Sequence, residues 1–443
     1  MTTAVQLAAW WTPSSSGAGA RQQRPLNIFM TFSQIGLWSF GLRPSSPIYG
    51  GTSWQSGGLV HRHRRSRPSL RPAGVHVQST AAALSAEVAP RVVQILVPAH
   101  NEQDQIGRCL KALREQTACA LPGLRLTVTV VADNCTDATA AIAAAHGAQV
   151  FETEGNRRKK AGALNQAIAP LLPRLGDDDV LLVTDADCAL DPGFVATALE
   201  HVDRGYGGVG GIFRGDAGGG FVGHLQRNEY ARYARDVERL GGKCLVLTGT
   251  AAMFPAATLR EVTAARHDGR LPAGDGAGGI YDTTVLTEDN ELTFAILHLG
   301  HKVISPPECT LATEVMPTWR ALWNQRLRWK RGAVENCFQY GMTRITWRYW
   351  GRQLLTFVGV LVTAVYLGTI VWAVGFGGGL NLHPFWLGVT AVFVVERVVT
   401  VRKRGWRYMV PAALMYELSI DFFLQACHGK AYCDALARRK KNW

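Results

Sequence analysis

The sequence predicts an α/β domain built on a mainly parallel sheet, with hydrophobic helices after it. Three observations carry that prediction. From Arg91 onward, short apolar runs alternate with stretches of helical period; acidic residues stand at the ends of those runs; and beyond residue 350 the chain becomes apolar over long charge-free stretches. Strands alternating with helices at this spacing mean βαβ units, and ligands of such sheets gather at the carboxyl ends of the strands.

The first run, "VVQILVPAH", reads as a buried strand, and "NEQDQIGRCLKALREQT" after it as a helix. "LRLTVTVVAD" is the second strand, followed by the Ala-rich helix "DATAAIAAAHGA". The short strand "QVFET" leads into the helix "NRRKKAGALNQAIAPLL", and "DVLLVTDAD" is the next strand. His100, Asp133 and Asp185 therefore fall at strand ends. Further on, "PTWRALWNQRLRWKRG" (residues 317–332) reads as an amphipathic helix with Trp319, Leu322 and Trp323 on one face and Arg326, Arg328, Lys330 and Arg331 mixed in.

Hydrophobic residues make up 47% of the 443 and charged residues 18%, which excludes both a disordered chain and one wholly embedded in lipid. The net charge of +13 is uneven. Residues 1–90 hold 8 Lys and Arg against 1 acid, residues 91–319 hold 21 against 28, and residues 320–443 hold 18 against 5. A nucleic-acid partner requires a basic folded domain, and this one is acidic. The basic excess lies in a tail and beside apolar helices, as expected next to anionic lipid. Nine cysteines stand singly, without zinc-ligand spacing, which suits structural thiols in a reducing compartment.

Four regions follow. Residues 1–90, rich in Ser, Gly, Pro and Arg, are expected to be disordered; an organelle transit peptide and a later start at Met30 both fit that composition. Residues 91–316 form the α/β domain, residues 317–350 interfacial amphipathic helices, and residues 351–443 a membrane region with a basic tail. Residues 353–376 run 24 positions without a charge, a membrane-span signal. Residues 383–395 are a second, shorter candidate, and residues 408–427, with Glu417 and Asp421 inside, a third. Arg344, Arg348 and Arg352 place the start of the first span on the cytoplasmic side, and Arg402, Lys403, Arg404 and Arg407 bring the chain back. A full third span would strand "RRKK" outside, so two spans are expected, the third segment lying in the interface or re-entering.

The chemistry-bearing residues cluster in the domain. If the strand continues through Asp185-Ala186-Asp187, the two carboxylates point the same way. Hard oxygen ligands at a strand end suit Mg²⁺ or Mn²⁺ beside a diphosphate, although Asp-x-Asp is also ordinary turn composition. Asp133 could accept from the N3–H of uracil or cap the next helix, as Asp137 is expected to do. Lys159 and Lys160 offer cations for phosphate, or a solvated charge run. Thr287-Glu288-Asp289 reads as a Thr N-cap with acids in the first turn, or as the seat of a general base at Asp289 that takes the proton of a sugar hydroxyl. In residues 317–332, Gln325 and Arg328 could contact diphosphate while Trp329 offers a flat face to a sugar ring; a membrane-surface helix is the plainer alternative.

The ordered set Asp133, Asp185-Ala186-Asp187, Thr287-Glu288-Asp289 and Gln325-Arg326-Leu327-Arg328-Trp329 resembles membrane-bound glycosyltransferase family 2, the group of cellulose, hyaluronan and poly-N-acetylglucosamine synthases. "ILVPAHNE", with Pro98, Asn101 and Glu102, and "KKAGALN", with Lys160, resemble the family's first nucleotide-binding segment. The resemblance spans residues 92–350. It implies a GT-A fold, a UDP-sugar donor (UDP-N-acetylglucosamine or UDP-glucose first), Mg²⁺ or Mn²⁺, a glycan acceptor and inversion at the anomeric carbon. By position, Asp133 contacts uracil, Asp185 the donor and Asp187 the metal; Asp289 is the base; Gln325, Arg328 and Trp329 hold the diphosphate and the acceptor end. Glu288 would also face the acceptor, and Gly249 and Thr250 in "LTGTAAMF" lie where the family lines that pocket.

Two departures stand out. No spans precede the catalytic domain, so the helices after it would anchor the enzyme in the cell membrane, domain on the cytoplasmic face, or pair with other membrane subunits. "ADNCTD" lacks the second acid or Gly common beside the first Asp, which bears on donor preference. The expectation is a membrane-anchored inverting transferase extending a β-linked polysaccharide. A non-processive transferase acting on a lipid carrier or another glycan is the alternative, and a nucleotide-sugar sensor without turnover is disfavoured because Asp289 is present. A nucleotidyltransferase has no use for the Trp-bearing helix, and without a Gly-rich phosphate loop after the first strand, kinase and dehydrogenase chemistry fall away.

Overall fold

The computed structural model describes residues 90–376 and 384–440; the expectation of disorder for residues 1–90 concerns positions that, apart from Pro90, lie outside the described residues. β1 (Arg91–Ala99) is central, and Val93, Ile95, Leu96 and Val97 on it are fully buried. A strand covered on both faces cannot alternate apolar with polar, hence the continuous run. It pairs in parallel with β2 (Leu124–Ala132) on one side and β4 (Val180–Thr184) on the other, and β2 pairs in parallel with β3 (Gln149–Glu152). The crossovers are α1 (Ile106–Arg114), α2 (Thr139–Ala145) and α3 (Lys159–Leu171), each shorter than its sequence pattern because loop residues occupy the ends.

After β5 (Ala189–Leu190), α4 (Phe194–Asp203), β6 (Tyr206–Gly210), β7 (Ile212–Gly215) and α5 (Gly220–Arg239), the chain enters β8 (Ala251–Pro255), antiparallel to both β4 and β6. α6 (Ala256–His267), α7 (Glu288–His298), β9 (Lys302–Ile304) and β10 (Thr310–Thr313) follow. The main sheet runs β3-β2-β1-β4-β8-β6-β9, and a small sheet runs β5-β10-β7. Two apolar cores cover the main sheet, one built with α1 and α4, the other with α3, α6 and α7.

α8 (Trp319–Tyr340) begins at Thr318, whose hydroxyl accepts from Ala321 N at 3.2 Å, and runs past the expected end at 332. It belongs to the same compact unit as the sheet: Gln339 Nε2 donates to Asp282 Oδ2 (2.7 Å), and the Tyr340 hydroxyl to Glu291 Oε1 (2.6 Å). Glu291 is itself paired, fully buried, with Arg266 at 2.6 Å. An uncompensated charge there would cost several kcal/mol, so the pair fixes where α6, α7 and α8 meet.

Residues 354–432 form a second compact unit. α9 (Trp347–Gly375) leads into it, followed by α10 (Pro384–Val401), α11 (Trp406–Ala413) and α12 (Leu418–Leu436). Among the described residues one helix is long and apolar enough to cross a membrane, over Trp347–Trp372 with mean hydropathy 2.3. The third hydrophobic segment is not one helix: it breaks between Ala413 and Leu418, where Met415 takes a left-handed φ of 55°. Glu417 and Asp421, the acids noted inside it, both accept from the buried Arg397 guanidinium. Residues 433–440 rejoin the first unit, where Arg331 donates to Arg439 O and, at 3.4 Å, to Lys440 O.

Candidate active site

Strand β4 stops at Thr184, so the two aspartates lie in a turn rather than on the pleat, closed by Cys188 N donating to Asp185 O at 3.1 Å. The strand ends there because Asp185 N and the Thr184 hydroxyl both donate to Thr250 O (3.0 Å each), the last rung toward β8. The turn still brings the carboxylates together: an oxygen of each, with Cys188 Sγ, lies within 4.8 Å of the others. Arg108 Nη2 donates to Asp187 O at 2.6 Å, and its other nitrogen pairs with Asp216, fixing the turn from α1.

The two acids have different surroundings. Asp185 is paired with Lys160, whose Nζ also donates to Gly249 O (3.0 Å) and lies 3.6 Å from Glu288 Oε1. Burial alone would lower this ammonium's pKa; Asp185 and Glu288 together outweigh it and hold the pKa above its ordinary value. Asp187 has the Cys188 thiol, 3.2 Å away, as donor. Burial first, then Asp185, pushes Asp187 up to about 6. Glu102 is pushed up to about 7 by burial, then by Asp187, Glu314 and Asp185. Asp187 and Glu102, which have no ion pair among the described residues and lie near the Lys160-paired Asp185, suit a hard divalent ion. By donor type and proximity, the residues present fit one.

Asp289 stands at the start of α7. Its Oδ2 accepts from Gly249 N (2.9 Å) and its Oδ1 from Asn290 N (2.8 Å). Burial, then Glu288, raises it to about 6 against these donors and Lys160. A Cβ on Gly249 would lie 3.1 Å from Asp289 Oδ2, so any larger residue here would push on the carboxylate. Lys160, Gly249, Glu288 and Asp289 line one small pocket with Tyr281 and Leu292. Thr287 occupies the N-cap position of α7 without capping: Asn336 Nδ2 on α8 donates to its hydroxyl (3.2 Å) and to its carbonyl (3.1 Å). Gly332 presses on Thr287 as well. The pattern read as an N-cap is thus a clamp between α7 and α8.

Asp133 closes the far end. Asn134 Nδ2 (2.8 Å), the Thr153 hydroxyl (2.8 Å) and Asn156 Nδ2 (2.9 Å) all donate to its Oδ1. Oδ2 accepts no hydrogen bond among the described residues. Asn156 also donates to Lys159 O (2.8 Å), joining this network to the helix that carries Lys160. Pro98, next to last in β1, is in register with Val131, and His100 Nδ1 lies 2.6 Å from Asp133 O. Asn101, at φ 58°, spends its side chain on Thr136 N (2.8 Å), shaping the Asp133 loop. Asp137 accepts from the Thr139 backbone and hydroxyl, as expected for a helix start.

On α8, Gln325 Oε1 is buried and accepts no hydrogen bond among the described residues, while Arg328 is exposed and its charge, after burial, lowers the pKa of Lys159. Trp329 packs under the guanidinium of Arg326, 4.4 Å from its ring centroid. Thr250 contributes its carbonyl to the aspartate turn, and its hydroxyl lies 3.0 Å from that of Thr248. Sequence reasoning missed Arg108, Glu314, Asn336 and the partners of Arg326, none of which lies in a motif.

The family description "Glycosyl transferase family 2" matches residues 94–263, and "Glycosyl transferase family group 2" matches residues 180–418, over half of the chain. The chain is 26% identical over 329 residues to the probable glycosyltransferase YdaM of Bacillus subtilis, covering 70% of this chain and 74% of that one. It is 24% identical over 291 residues to the poly-beta-1,6-N-acetyl-D-glucosamine synthase of Staphylococcus aureus, covering 62% of this chain and 64% of the synthase, less than two thirds of its length. Among solved structures, the mannosyltransferase PcManGT of Pyrobaculum calidifontis, in complex with GDP-Man and Mn²⁺, superposes with TM-score 0.51 at 18% identity, covering 79% of this chain and 88% of that one. At that identity the likeness is one of fold.

Proposed function

We propose, for a chain that belongs to glycosyl transferase family 2 and has the GT-A fold, transfer of a sugar from a UDP-sugar to a glycan acceptor, with inversion, at the cytoplasmic face of a membrane. The observation that carries this reading is the pocket in which Asp289, gripped by Gly249 N–H, faces Lys160, itself paired to Asp185. A sugar hydroxyl is a weak nucleophile, and a carboxylate with a pKa of about 6 is ionised at neutral pH yet basic enough to take its proton. Asp289 removes that proton as the hydroxyl oxygen bonds to the anomeric carbon, and the bond from that carbon to the diphosphate oxygen breaks on the opposite side.

Asp187, with Asp185, would hold the divalent cation, and Gln325 and Arg328 would bear on the diphosphate. When bound, the cation supplies positive charge to the departing diphosphate. Asp133 supports a uracil base. With Oδ1 taken by three donors, Oδ2 is the oxygen left to accept, which suits the single N3–H of uracil better than the paired N–H groups of guanine, which would bridge both oxygens. The named synthase relative supports N-acetylglucosamine as the first sugar to try and chain extension as the outcome.

α9 supports membrane attachment, because Leu354, Leu355, Leu361, Val365 and Trp372 on it are exposed apolar side chains. That residues up to 353 and residues from 433 onward share one unit supports an even number of crossings. The test offers purified membranes a panel of UDP-sugars, with GDP-mannose as comparison, with Mn²⁺ or Mg²⁺, and measures nucleotide release and product length. Asp289→Asn should lower kcat by roughly 10²–10⁴-fold while UDP still binds. Unchanged turnover in that variant would remove Asp289 from the chemistry.

A further inference from the structure

The buried Arg326 does a job that its place between the motif residues Gln325 and Arg328 does not announce. Its side chain is 5% exposed, and its Nη2 donates to Glu229 Oε2 on α5 at 2.8 Å. Its guanidinium carbon lies 4.4 Å from the ring centroid of Trp329, one helical turn further along α8, and 5.6 Å from that of Tyr230 on α5. Tyr230 is held in turn by Phe213, edge to face at 4.7 Å. Gln226 on the same helix clasps residue 316 from both sides, its Nε2 donating to Met316 O (2.9 Å) and its Oε1 accepting from Met316 N (3.1 Å).

A planar guanidinium stacked on an indole and anchored at its far edge by a carboxylate restricts the ring to one plane. Lysine, a point charge on a flexible stem, has no such plane to impose. We propose that Arg326 is the positioning residue of the acceptor platform: braced by Glu229 and Tyr230, it sets the plane of Trp329 against which the acceptor sugar stacks, and makes α5 a wall of the acceptor passage. The inference rests on the reading of Trp329 as an acceptor contact.

The test uses the full-length protein in membranes. Initial rates are measured for Arg326→Gln, Arg326→Lys, Glu229→Gln and Trp329→Ala against acceptor and against UDP-sugar. Arg326→Gln should raise the acceptor KM on the order of tenfold, the loss of one to two kcal/mol of stacking and orientation. The donor KM should hold within about twofold, Arg326→Lys should restore little, and Glu229→Gln should follow Arg326→Gln more weakly. A merely structural role would move donor and acceptor constants together, and that result overturns the proposal. If Trp329→Ala raises the acceptor KM and Arg326→Gln does not, the positioning role fails while the acceptor reading stands. If neither moves it, the acceptor reading fails and the proposal falls with it. Should Arg326→Gln not fold, the same split is read from Glu229→Gln, whose carboxylate is partly solvated.

Discussion

At Asp133 three side-chain donors converge on one carboxylate oxygen, whereas at Asp187 and Asp289 carboxylates crowd one another in a largely buried setting with fewer donors. The two ends of the cleft therefore follow different electrostatic plans. The Asp133 end is finished before any ligand arrives, its hydrogen bonds made and its remaining lone pairs aimed. The Asp187–Asp289 end is left short of positive charge, and ligand binding completes it. Under the proposed function, recognition would benefit from the first arrangement because a rigid acceptor rejects the wrong base, and chemistry from the second because its carboxylates stay basic near neutral pH.

Paired substitutions test that division most directly. Asp187→Asn should cost on the order of 10³-fold in kcat and abolish the response to added Mg²⁺ or Mn²⁺. Asp133→Ala should raise the donor KM by roughly 10- to 100-fold with kcat little changed. The reverse pattern, with kcat lost at Asp133 and KM lost at Asp187, would exchange the roles of the two ends. A smaller effect is expected in the pH profile. Asp289 must be ionised to act, so kcat should fall with unit slope below about pH 6, close to tenfold by about pH 5. A flat profile between pH 5 and 7 would show that another group takes the proton.

The smallest effect is thermal. Burial and neighbouring carboxylates raise the folded pKa values of Glu102, Asp187 and Asp289 from the ordinary carboxylate range to about 7, 6 and 6. Such groups favour the fold when protonated; the stability they contribute is full below the unfolded values and is lost as pH rises through 6 to 7. Added Mn²⁺ should therefore raise Tm by a few degrees more at pH 8 than at pH 5. An equal shift at both pH values would place the ion elsewhere.

Much of this was legible in the sequence, for a physical reason. Strands buried on both faces are nearly continuous apolar runs, so β1, β4 and the second half of β2 announce themselves, and acids placed just beyond them mark the ligand edge. The antiparallel β8 was not legible, because "AAMFP" carries no mark of direction. The end of β4 was misplaced by a few residues: apolar pattern cannot show that Thr250 O collects the last two donors. The Thr287 side chain was read as a cap because its true partner, Asn336, is 49 residues away. Lys160 was expected to face phosphate, and spacing alone could not pair it with Asp185, 25 residues on. The C-terminal acids looked anomalous until Arg397 was found beside them, a pairing that depends on how α10 packs.

The grip of Arg331 on the carbonyls of Arg439 and Lys440 joins two stretches that lie far apart in the chain. The helix bearing the last motif is synthesised about a hundred residues before the segment it must hold, with every hydrophobic helix emerging from the ribosome in between. On the proposed membrane attachment, the contact of Arg331 with residues 439 and 440 would form only after the hydrophobic helices between them had been made. A product truncated within the hydrophobic region would leave that guanidinium without those two carbonyls.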